Sequence, residues 1–126
     1  NVRVDLLGWS GAGAGGDFIP TAPKKLASGT AISAGAAISL PVAGKGVPVG
    51  AKAVVLSAST SAGTLDGWLS IGASGSANLT VRSVGIVKGK KNAGLVISPI
   101  GADGAIMVTS PTANASLSAY IIGYVK

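Results

Sequence analysis

A chain of 126 residues with mean hydropathy +0.58 and only 11% charged residues is too apolar to remain unfolded. It is long enough to bury one core, and with no Cys it does so without disulfides. It has no His, and its acidic residues number four, all Asp (Asp5, Asp17, Asp66 and Asp103), so His- and Cys-based nucleophile activation and metal cages are excluded.

In chain order, Val2 to Trp9 begins with the alternation of a strand, Val2, Val4 and Leu6 against Arg3, Asp5 and Leu7. Gly11 to Gly16 is a small-residue linker, so residues 1–16 read as an N-terminal strand plus linker and 17–126 as the folded module. Asp17 to Pro23 is extended, because Pro20 and Pro23 forbid a helix. Ile32 to Leu40 reads as one weak strand, and Gly44 to Gly50 as a turn-rich loop. Ala53 to Ser59 is a strong strand with Val54, Leu56 and Ala58 on one face. Gly67 to Ile71 follows the Asp66-Gly67 turn, and Ala77 to Val84 alternates Leu79 and Val81 with polar residues. Gly94 to Ile100 is almost wholly apolar, the pattern of a central strand. Asp103-Gly104 suggests a hairpin into Ala105 to Thr109, and Ser116 to Val125 is the last strand. The expected fold is all-β, a single β-sandwich or jelly-roll-like barrel of about eight strands without substantial helix. Its expected core contains Val54, Leu56, Leu69, Ile71, Leu79, Val81, Leu95, Val96, Ile97, Ile106, Val108, Ile121 and Tyr124.

The net charge of +6 invites a nucleic-acid reading. Yet Arg3, Lys24, Lys25, Lys45, Lys52, Arg82 and Lys126 are scattered, and only Lys88-Gly89-Lys90-Lys91 forms a cluster. Stacking platforms are scarce, with one Phe, two Tyr and two Trp. No specific nucleic-acid partner is expected, although the charge suits attraction to anionic polymers. Gly11, Gly13 and Gly16 satisfy a dinucleotide-type glycine spacing, but Pro20 and Pro23 stand where the required helix would start. Asn78-Leu79-Thr80 and Asn114-Ala115-Ser116 fit the glycosylation sequon, which such Ser/Thr-rich strands produce by chance. No apolar run is long enough for a membrane helix. Asp66 and Asp103 each precede a Gly, so turn formation is the expected role and no enzyme or cofactor is expected.

Four runs then fall into a recurrent order: "GVPVGAKAVVLSAST" (Gly46–Thr60), "DGWLSIGASGSANLTV" (Asp66–Val81), "AGLVISPIGADGAIMVTS" (Ala93–Ser110) and "AYIIGYV" (Ala119–Val125). Together they resemble a repeated β-module of secreted and cell-wall proteins of actinobacteria and of their phages, with the "PIGADG" step the most specific piece. "FIPTAPKKLAS" (Phe18–Ser28) resembles the opening of that repeat. The chain departs from the family's pattern at Ser57, where Asn is usual, and at Tyr120, where an acidic residue is usual. The module has no known catalytic residues, so the resemblance implies an extracellular accessory, adhesive or structural role.

The opening stretch is itself a near copy of the closing one: Leu6-Leu7-Gly8-Trp9 matches Ile121-Ile122-Gly123-Tyr124 in type. Two readings follow. The strand belongs to a preceding repeat of a tandem array, or it pairs with its own or a neighbouring sheet.

The first functional expectation is a non-catalytic attachment module at the cell surface, binding polysaccharide or cell-wall polymer. Trp68, Tyr120, Lys88, Lys90 and Lys91 are its candidate contacts, with Trp68 expected to matter more than Trp9. The alternative is a self-assembling subunit of a virion or extracellular filament. Its partners are neighbouring copies or a particle shell protein, joined by exchange of the strand carrying Val2, Val4, Leu6, Leu7 and Trp9.

Overall fold

The computed structural model describes residues 17–75 and 82–126. The expectations placed on Val2–Trp9, the glycine linker, Leu79, Val81 and the first sequon lie outside the described residues. The fold is all-β. Its strands are β1 (Phe18–Ile32), β2 (Ala37–Pro41), β3 (Ala53–Ser61), β4 (Gly67–Ala73), β5 (Val84–Ile86), β6 (Asn92–Pro99), β7 (Ala105–Thr109) and β8 (Ala115–Val125). They form two antiparallel four-stranded sheets, ordered β1-β8-β3-β6 and β2-β7-β4-β5. Among the described strands, only β4 and β5 are consecutive in sequence and adjacent in one sheet. Every other connection passes to the opposite sheet, which is the winding of a jelly roll.

Alternation decides which side chains lie between the sheets. On β3, Val54, Leu56, Ala58 and Thr60 point inward and are buried, while Ser57 is exposed. On β8 the inward set is Ala115, Leu117, Ala119 and Ile121. Leu69 and Ile71 of β4 and Ile106 and Val108 of β7 close the core from the second sheet. Ile32, Val42, Val47, Val84 and Ile86 complete it, although no periodic pattern marks them in the sequence. The inward hydroxyl of Thr60 is satisfied by donating to the Gly85 carbonyl at 2.8 Å.

β8 carries a bulge. Val55 and Leu56 are adjacent on β3, but their partners are Gly123 and Ile121, so Ile122 is the extra residue. The parity change beyond it turns Tyr124 onto the core, where it is half-buried as expected.

Several expectations are corrected. Gly94–Ile100 is not a central strand; β6 is the edge of its sheet. Val96 is buried, but Leu95 and Ile97 face outward and are 63% and 39% exposed, so neither belongs to the core. Asp103-Gly104 forms a turn, with Gly104 at φ +77° and its N–H bonded to the Gly101 carbonyl at 2.9 Å. No hairpin results, because β6 and β7 lie in different sheets. Ile32–Leu40 is not one strand either. A turn, closed by the Ala36 N–H on the Ser33 carbonyl at 3.0 Å, separates the end of β1 from β2. Finally, the extended stretch at Asp17 grows into a strand reaching Ile32. Its prolines are accommodated because β1 is an edge strand with three register shifts against β8.

Candidate functional site

The outer face of the β1-β8-β3-β6 sheet has no layer packed on it among the described residues. Its centre is lined by small side chains. Ser57 and Ser59 of β3 lie beside Ser118 and Tyr120 of β8, in the pairs Ser57–Tyr120 and Ser59–Ser118. Ala93 of β6 pairs with Ser59 on the other side. Small residues flanked by larger ones leave a depression. A groove of about 320 Å³ runs here, with Tyr120 at one wall and Lys91 at the other.

Tyr120 is 40% exposed. Lys25 of β1 is its register partner on the neighbouring strand, so a second lysine lies on the same face just outside the groove lining. The Ser118 hydroxyl accepts the N–H of Gly29 at 3.0 Å, which pins an irregular part of β1 along the rim. The groove thus combines one aromatic face, three serine hydroxyls and one lysine, with Lys25 on the adjoining strand. Such a set can pack on the C–H face of a sugar ring, exchange hydrogen bonds with its hydroxyls and hold an anionic substituent. The carboxylates of Asp66 and Asp103 are engaged elsewhere. Asp66 accepts the Lys88 N–H at 2.8 Å, and Asp103 accepts the Ala105 N–H at 3.1 Å and the Ser74 hydroxyl at 2.9 Å. Both therefore tie turns, as their Asp-Gly context suggests.

The candidate contacts do not all meet. Tyr120 and Lys91 share the groove, whereas Trp68 lies on β4 in the other sheet. Trp68 is half-buried, and the Arg82 guanidinium sits 4.1 Å from its ring centroid, a cation–π contact that occupies one face. Its Nε1 is buried without a hydrogen-bond partner among the described residues. Trp68 therefore offers a sugar less than its position after a turn suggests. Lys88 and Lys90 are exposed on the turn before β6, away from the groove lining. Ser57, Ser59, Ser118 and Lys25 are not among the candidate contacts read from the sequence. Only the register of β1, β3 and β8 brings them together.

A second concavity, about 310 Å³, lies at one end of the sandwich between Pro48–Ala51 and Ile100–Gly104. No lining residue carries a polar side chain, so only backbone groups are present there to orient a polar ligand. The Asn114 carboxamide of the second sequon accepts the Ala34 N–H at 2.7 Å and so serves to hold a turn. Among the described residues no group of His, Cys, Asp or Glu is placed to hold a metal ion. Compared with known protein families and with curated protein sequences, the chain gives no match.

Proposed function

We propose that this chain is a non-catalytic extracellular attachment module that binds an anionic cell-surface polysaccharide or cell-wall polymer along the outer face of the β1-β8-β3-β6 sheet. The observation that carries the reading is the groove itself: Tyr120 exposed beside Ser57, Ser59 and Ser118, with Lys91 and Lys25 flanking it. The net charge of +6 adds a long-range attraction to such a polymer. The resemblance of Gly46–Val125 to a module of secreted and cell-wall proteins points the same way.

The test is binding of the full chain to immobilised acidic and neutral polysaccharides at several salt concentrations. Tyr120→Ala is expected to weaken binding about tenfold or more, the order of a lost aromatic stacking contact. Lys91→Gln with Lys25→Gln should weaken binding to the acidic polymer and flatten its salt dependence. Trp68→Ala should leave both unchanged. Full retention of binding by folded Tyr120→Ala would refute the assignment of the groove.

A further inference from the structure

We propose that two copies of this chain join edge to edge through β6, antiparallel about a two-fold axis, so that two four-stranded sheets become one continuous sheet. The pairing stands apart from the glycan reading, because it concerns the rim of the sheet and not the groove on its face.

The four sheet edges are treated differently. β1 carries Pro20, Pro23, Lys24 and Lys25 and has three register shifts, all features that discourage another strand from pairing. β2 is five residues long and ends at Pro41, and β5 has three residues. β6 has none of these defences over most of its length. It is eight residues long and pairs with β3 in unbroken register from Pro99 to Asn92. No charged residue occurs between Lys91 and Asp103, and its one proline is the last residue. β5 approaches only the start of β6, where the Asn92 amide donates to the Gly85 carbonyl at 3.1 Å. Among the described residues, Ala93, Leu95 and Ile97 make no backbone hydrogen bond outside the pairing with β3. A straight, uncharged, apolar edge of this kind is a template for another strand.

The ladder shows which backbone groups face outward. The Ile100 N–H donates to the Lys52 carbonyl at 3.2 Å, one step beyond the Ala53–Pro99 pair. Bonded and unbonded pairs alternate in an antiparallel ladder, so Ser98, Val96 and Gly94 bond to β3. The N–H and C=O groups of Ile97, Leu95 and Ala93 then point to the open side. Pro99 falls in the same outward set, where a missing donor breaks no bond to β3.

The strand that suits this edge is the same edge of a second copy. With Leu95 on the two-fold axis, Leu95 faces Leu95 of the second copy and Ala93 faces its Ile97. The outward N–H groups of Ala93, Leu95 and Ile97 in each copy then meet the outward carbonyls of the same residues in the other. On the outer face, Leu95 and Ile97 stand 63% and 39% exposed in the single chain. In the pair the two Leu95 side chains pack together and each Ile97 packs on Ala93. Charge agrees with the antiparallel direction. The turn bearing Lys88, Lys90 and Lys91 comes beside the other copy's Ile100–Gly104 turn, whose one charged residue is Asp103, with Lys52 one strand further in. A parallel pairing would bring the two lysine turns together. The axis stands perpendicular to the sheet, so both outer faces lie on the same side. The two β3 strands, which line the grooves, are then three strand spacings apart, about 14 Å, on one surface.

Sedimentation of the full chain over a concentration series reads the outcome. The average mass is expected to rise from 12.0 kDa to twice that value and stop, because two-fold pairing uses up the edge. Leu95→Pro removes an outward donor and no bond to β3, so it should fold and remain a monomer. Leu95→Lys with Ile97→Lys should do the same by repulsion across the axis, without touching the core. Tyr120→Ala, which probes the groove, should dimerise like the parent. Amide exchange gives a reading by residue. Ala93, Leu95 and Ile97 should exchange fast in dilute protein and slowly once the dimer forms, while Gly94, Val96 and Ser98 stay protected throughout. A monomer at every concentration overturns the proposal. So does an assembly that grows past two copies, that persists in the folded Pro or Lys variants, or that leaves the three outward amides fast.

Discussion

Leu56→Ala is expected to lower the unfolding free energy by about 3 kcal/mol, whereas Leu95→Ala on the adjoining strand should change it by no more than about 0.5 kcal/mol. Leu56 is 1% exposed, between the sheets; Leu95 is 63% exposed, on the outer face of β6. Truncating Leu56 removes apolar burial and leaves a cavity, because Ile121 and Val96, its partners on the two flanking strands, are held by their own ladders. Thermal unfolding of dilute protein measures both. A drop on the order of 10 °C for the first and almost none for the second is expected. A comparable loss for Leu95→Ala would place β6 inside the molecule and refute the edge assignment.

Gly101→Ala is the second large effect, expected at about 2–3 kcal/mol. A Cβ there would sit 2.6 Å from the Ser74 carbonyl oxygen and 2.9 Å from both the Ser74 nitrogen and Asp103 Oδ1. The obstacle is chiefly backbone, so no side chain can swing away. That backbone is itself tied down. The Gly101 N–H and the Ser74 N–H both donate to the Ala105 carbonyl, at 2.9 and 3.2 Å, and the Ser74 hydroxyl donates to Asp103. Gly94→Ala is the contrast, because nothing lies within 4 Å of the new carbon and the change should be neutral within about 0.5 kcal/mol. Chemical denaturation of the two variants separates a steric role from a general dislike of replacing glycine.

These contrasts show where sequence patterning speaks and where it is silent. In β8, Ser116, Ser118 and Tyr120 alternate with Leu117, Ala119 and Ile121, and in β3 Ser57 and Ser59 flank Ala58, so the inward face can be read there, whereas Val55 between Val54 and Leu56 gives no such mark. In β6, Leu95, Val96 and Ile97 are all apolar. A one-residue shift changes nothing in the pattern, so it reveals neither the buried face nor the position of the strand in its sheet. Asp17–Pro23 reads as extended and no more than that, because the sequence cannot distinguish an irregular edge strand from an extended segment outside any sheet. The Asp-Gly turn is legible, but which sheet the chain enters afterwards depends on packing far away. The groove illustrates the same limit. Tyr120 and Lys91 stand out as residue types, while the serines between them gain meaning only through the register of β1, β3 and β8.

The position of β8 has a consequence in time. It is the last strand in sequence and lies between β1 and β3, so Phe18 must find Val125 and Ala53 must find the same residue. Pairings that join residues across nearly the whole chain form slowly, on the order of milliseconds to seconds, because a large loop closes before any contact rewards it. During synthesis β3 and β6 can pair as soon as both have emerged, but β1 has no partner among the other described strands until β8 is made. The sheet is complete only when β8 has left the ribosome, and loss of β8 removes the centre of a sheet rather than its margin.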